Sequence, residues 1–147
     1  MALNYGGGYG SGTTGAALLG VSNTFTGSQS YQGVDKGSVT ASTVSVNMKQ
    51  TAVQKITVGA DITLSFTNWS SNNTLDLVYL ELKNGGSHSV SIPGVTWVNP
   101  STVTPISTLA AYLTSIGRSP AALQTSGTDV IVIWSTDGGN TVCGKFV

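Results

Sequence analysis

Charge is the scarcest commodity in this 147-residue chain: Asp, Glu, Lys and Arg together make up 8% of it, six acidic against six basic, for a formal net charge of zero. Ordinary soluble domains carry about 25% charged residues. The balance argues against nucleic acid or an anionic membrane as the main partner, because both select basic surfaces. It points instead to a surface covered by other protein, since so few charges give poor solubility when left exposed. Cysteine is equally scarce. Cys143 stands alone, so no intrachain disulfide forms, and it reads as a small residue packed in a terminal strand.

His88 is the single histidine. It has no nucleophile-elbow sequence to serve and no second metal ligand near it in sequence, so it reads as an exposed or hydrogen-bonded side chain. The six carboxylates are scattered, without an evident pair for glycoside hydrolysis. The glycine run from Tyr5 to Gly12 has no following lysine and no preceding strand, unlike a phosphate loop. The expectation is therefore no enzyme, no cofactor and no metal. No apolar run approaches the ~18 residues of a membrane-spanning helix, and no basic start precedes an apolar segment as in a secretory signal.

What is present is glycine, serine, threonine and short β-rich runs. Residues 1–37 read as an extended, Gly-rich N-terminal arm and connector, and residues 38–147 as one β domain. Tyr5, Tyr9, Leu18, Leu19, Phe25 and Tyr31 punctuate the arm as apolar anchors. Ordering some twenty such residues costs roughly 1–2 kcal/mol each in backbone entropy, so an ordered arm needs a partner's surface. Asp35-Lys36-Gly37 reads as a turn, and Ser38–Asn47 as a strand whose alternation shifts phase at a bulge or bend. Val53–Val58 and Ile62–Thr67 are further strands.

Leu75–Trp97 reads as a central antiparallel hairpin turning at Asn84-Gly85-Gly86. Leu75, Leu77 and Tyr79 point one way and Val78, Leu80 and Leu82 the other. A strand apolar on both faces is central to its sheet or meets a neighbouring subunit. Trp69 and Tyr79 are the candidate interface aromatics, although Trp69 could equally fold back over the sheet edge. Residues 105–117 carry the single helical pattern, with Ile106, Leu109, Ala110, Leu113 and Ile116 at helical spacing. Asp129–Thr136 and Thr141–Val147 read as a closing antiparallel hairpin. About eight strands and one helix describe an antiparallel β-sandwich or jelly-roll-like domain with one short helix.

Two stretches resemble small structural and fibre-domain proteins of tailed bacteriophages. One is Asn23-Thr-Phe-Thr-Gly27-Ser-Gln. The other is the succession ITLSF at 62–66, LDLVYLEL, a glycine turn, SVSIPGVTW and GTDVIVIWSTDGGNTVCG. The helix-bearing segment 101–123 is longer than that pattern, and the long repetitive shaft of a fibre is missing. The resemblance implies a virion protein, typically a homotrimer. It leads to two expectations. The first is a capsid cement or decoration protein whose arm docks on the major capsid protein. The second is a short tail or head-fibre adhesin that stacks host carbohydrate on Trp69 and Tyr79.

Overall fold

A computed structural model describes residues 33–147 of the chain. The fold is mainly β, with mixed sheets and one short α-helix. Strands β1 (Gly33–Val39), β3 (Val53–Val58) and β5 (Asp76–Lys83) enter one sheet, and β2 (Thr43–Asn47), β4 (Ile62–Thr67) and β6 (Val90–Ser91) enter a second. The chain thus alternates between two sheets, and each return lays a strand parallel to the one before it. Thr43 lies beside Thr63 and Ile62 beside Val90 in the small sheet, while Gly33 lies beside Val53 and Val53 beside Tyr79 in the large one. Parallel neighbours need a long crossover, most often a helix. Here the crossover is a strand of the opposite sheet, so three successive winds form a short coil.

The rest of the chain completes the large sheet. β8 (Thr128–Ser135) pairs antiparallel with β5, β9 (Val142–Phe146) antiparallel with β8, and β7 (Val95–Trp97) parallel with β9. The six-stranded order is β1-β3-β5-β8-β9-β7, and the small sheet runs β2-β4-β6. Side chains of both sheets join one hydrophobic cluster: Val46, Leu64, Ile56, Val78, Leu80, Leu82, Ile131 and Ile133 are each at most 1% exposed. The period-2 alternation of each strand places these residues on its inner face. Trp97 anchors the far end of the core, stacked on Tyr112 at 5.2 Å between ring centroids and tilted against Phe146 at 6.3 Å.

Helix α1 (Leu109–Ser115) buries Tyr112 and Leu113. It is shorter than the 105–117 pattern. The Thr108 hydroxyl accepts the Ala111 N–H at 3.3 Å and caps the first turn, while Gly117 ends the helix at φ +78°. Ile106 stays extended because its carbonyl accepts the Trp97 N–H at 2.8 Å. Ile116 is 41% exposed rather than inward.

The strand pairing corrects the antiparallel reading. Five of the seven pairings are parallel. The expected hairpin over Leu75–Trp97 does not form, since β5 lies between β3 and β8 and the residues after it leave for the other sheet. Asn84 does take positive φ, at 60°, but Gly85–Ser87 then closes a single 3₁₀ turn. That turn is clamped to the 123–127 segment, with Asn84 N–H donating to the Gly127 carbonyl and Gly86 N–H to the Gln124 carbonyl, both at 2.9 Å.

The expected strand Ser38–Asn47 is two strands in different sheets, and its phase shift is the crossing between them. Asp35-Lys36-Gly37 is no turn. It is a bulge inside β1, with Gly37 at φ +66° and its N–H held by the Asp35 carboxylate at 2.8 Å. Residues 33–37, expected in the connector, therefore belong to the sheet. The closing hairpin of β8 and β9 is as expected.

Candidate interaction surface

The outer face of the six-stranded sheet follows from the alternation of β5. Val78, Leu80 and Leu82 point into the core, so Leu77, Tyr79, Glu81 and Lys83 point outward. Register then fixes their neighbours across β8: Leu77 faces Trp134, Tyr79 faces Val132 and Glu81 faces Val130. Across β9, Trp134 lies beside Cys143 and Val132 beside Lys145. The Val147 N–H donates to the Val130 carbonyl at 3.1 Å, which holds the last residue along the same sheet.

Leu75, Leu77, Tyr79, Val132, Trp134, Lys145 and Val147 line a groove of about 380 Å³. Leu75 is 60% exposed, Tyr79 40% and Val147 74%. Interfaces are enriched in Tyr and Trp and depleted of charge at their centres, which is the composition of this groove. Lys145 is the one charged side chain in the lining.

Along β5 the outward face changes character. Glu81 pairs with Lys55 at 3.3 Å, both partly exposed. Asp35, Lys55, Glu81 and Lys83 surround a polar hollow beyond that pair. An exposed pair of this kind contributes at most about 1 kcal/mol, so this end is a solvated rim.

Tyr79 thus stands where the sequence places it, on an outward apolar row. Trp69 does not stand free. It is half-buried, 6.2 Å from the Phe66 ring, and covers Gly139 in the β8–β9 turn so closely that a Cβ there would strike its indole. Trp69 therefore folds back against the β8–β9 turn, at the end of the strands rather than over a sheet edge, and is not joined to Tyr79 in one site. Tyr5, Tyr9, Leu18, Leu19, Phe25 and Tyr31 lie outside the described residues. Sequence reasoning missed Trp134 and Val147. The alternation Val130-Ile131-Val132-Ile133-Trp134 puts Trp134 on one face, but only the pairing of β5 with β8 brings it beside Leu77.

Polar side chains elsewhere hold turns. The buried Asp76 carboxylate accepts the Ser70 N–H and hydroxyl. Asp137 accepts the Thr141 N–H at 2.9 Å and the Ser135 hydroxyl at 2.8 Å, and these bonds, the Thr141 N–H first, hold its carboxyl below the usual range. Cys143 titrates above its usual value, chiefly through partial burial and also through the Asp137 charge. His88 is exposed and lines a hollow of about 210 Å³ beside Leu109, Leu113 and Leu123. Among the described residues no three His, Cys, Asp or Glu side chains gather as a metal site, and no helix is long and apolar enough to cross a membrane. Comparison with family models, curated proteins and solved structures finds no match.

Proposed function

We propose that this chain is a non-enzymatic structural protein of a bacteriophage virion, a capsid cement or decoration protein that assembles as a homotrimer. The observation that carries an assembly role is the largely apolar Leu75–Tyr79–Trp134 groove on the outer sheet face, with Lys145 its one charged side chain, open in a chain that is only 8% charged. A patch of apolar side chains rimmed by polar ones marks a protein contact. The virion itself rests on the sequence resemblance. In this reading the two sheets act as a sandwich-like scaffold, and the arm residues Tyr5, Tyr9, Leu18, Leu19, Phe25 and Tyr31 dock on the major capsid protein. Neither nucleic acid nor membrane is a partner.

A short tail or head-fibre adhesin is the second reading, favoured by the exposed Tyr79 ring. It is the weaker one. A sugar site needs several convergent polar groups, whereas this groove offers the Tyr79 hydroxyl and Lys145. Trp69 is spent on the turn. The test is co-sedimentation with expanded capsids. The full chain binds saturably, and a chain lacking residues 1–20 does not. Equal binding by both chains overturns arm docking, and binding by neither overturns the capsid reading.

A further inference from the structure

Among the described residues the two sheets end in four edge strands, and three of these are guarded against pairing with another chain. β1 carries Asp35, Lys36 and the bulge at Gly37. β7 has Ile106 along its outer side, where the Ile106 carbonyl accepts the Trp97 N–H. β6 is two residues long and runs into Pro93. The fourth, β2, has none of these devices. Thr43-Val44-Ser45-Val46-Asn47 keeps an unbroken register with β4 and holds no charge, proline or glycine.

The direction of its unpaired groups follows from that register. The Ser42 carbonyl accepts the Thr63 N–H at 2.9 Å and the Met48 N–H donates to the Thr67 carbonyl at 3.0 Å, so the even-numbered residues face β4. Thr43, Ser45 and Asn47 turn their backbone groups the other way, and Thr43 and Ser45 are exposed. The Asn47 carbonyl is engaged by the Gln54 amide at 2.7 Å, which leaves the N–H and C=O of Thr43 and Ser45 and the N–H of Asn47 to an incoming strand. The edge is also complementary to itself when reversed. Laid antiparallel about Ser45, it sets Thr43 against Asn47 on the outer face and Val44 against Val46 on the inner one, with no like charges opposed. A foreign strand would need this pattern by coincidence, whereas a second copy has it by construction. One patch serving both copies is the geometry of a two-fold contact.

We propose that β2 of a second copy pairs antiparallel with β2 across a two-fold axis at Ser45, joining the two small sheets into one. Ser45 exchanges both backbone bonds with its counterpart, and each Asn47 N–H meets the Thr43 carbonyl of the other copy. The contact is additional to the three-fold one of the reading above and does not rest on it. The test is cross-linking of the full chain in a Cys143→Ser background at about 100 µM. Across the axis the two Ser45 Cα atoms lie about 5.5 Å apart, within disulfide reach. The two Ser65 Cα atoms, one strand further out on each side, lie about 15 Å apart. Diamide as oxidant therefore joins Ser45→Cys chains into covalent dimers at least about tenfold faster than Ser65→Cys chains. Equal rates, or no dimer from Ser45→Cys, overturn the proposal.

A second measurement needs no new thiol. Ser45→Lys sets two ammonium groups against each other across the axis, on an exposed side chain that carries no core packing. In sedimentation at about 100 µM the wild type is heavier than Ser45→Lys, while the urea midpoints of the two stay alike. Equal masses at every concentration overturn the proposal as well. Chains that pair through β2 but ignore capsids overturn the virion reading alone. Chains that bind capsids without pairing through β2 overturn this inference alone.

Discussion

Replacing Arg118 with methionine removes the one partner that neutralises a buried carboxylate. Asp129, at the start of β8, is 3% exposed, and its Oδ1 lies 2.6 Å from Arg118 Nη2. The guanidinium also sits over the Phe146 ring, 5.4 Å from its centroid. With the arginine gone, Asp129 keeps the Gln124 N–H at 2.7 Å and the Gln124 side-chain amide at 3.3 Å, but no opposite charge. Breaking a buried pair from one side costs about 3–5 kcal/mol, much of it the penalty of the stranded charge. The methionine stem retains part of the packing on Phe146, which places the expected loss near about 3 kcal/mol. At a urea slope of about 2 kcal/mol per M, the unfolding midpoint falls by about 1.5 M.

Urea titration followed by tryptophan fluorescence reads this loss. Adding Asp129→Asn to the methionine variant removes the stranded charge and recovers part of it. A loss below about 1 kcal/mol, or no recovery in the double variant, refutes the reasoning that this pair holds the 117–127 segment to the sheet.

Three further outcomes are expected. Leu80→Ala, fully buried on β5, costs about 2–5 kcal/mol in the same urea assay, whereas Leu75→Ala, largely exposed, changes stability by less than about 1 kcal/mol. Gly86→Ala places a Cβ against the backbone carbonyl of Leu123 and lowers the melting temperature more than Gly94→Ala, where nothing lies within 4 Å but φ is +74°. Asp137 has a lowered folded-state pKa, so its stabilising contribution is present above the unfolded value of about 3.9 and is lost as pH falls through the folded value. Asp137→Asn therefore shows a shallower loss of melting temperature between about pH 5 and pH 2 than wild type.

The division between what could and could not be read from sequence follows the range of the interactions. The β8–β9 hairpin was legible because its determinants are local: two apolar runs and a turn that Asp137 closes within its own loop. The strand at Ile62–Thr67 was legible through strict alternation. The Asn84-Gly85 signal was right about the backbone, since Asn84 is left-handed, and wrong about the partner. A turn sets the direction of the chain for two or three residues, and the bonds that hold this one reach Gln124 and Gly127, some forty residues away.

Parallel pairing is invisible to periodicity for the same reason, because it joins residues nineteen or more apart across an intervening strand of the other sheet. The apolar outer row of Leu75, Leu77 and Tyr79 was legible as a second apolar face. Its completion by Trp134 and Val147 required the strand order.

The central claim is that this chain is a structural component of a virus particle, and its abundance in purified virions tests that directly. Quantitative mass spectrometry against the major capsid protein is predicted to find hundreds of copies per particle, as symmetric decoration of a shell requires. A few dozen or fewer would contradict the decoration role in favour of a fibre, and absence from the particle would contradict the account altogether.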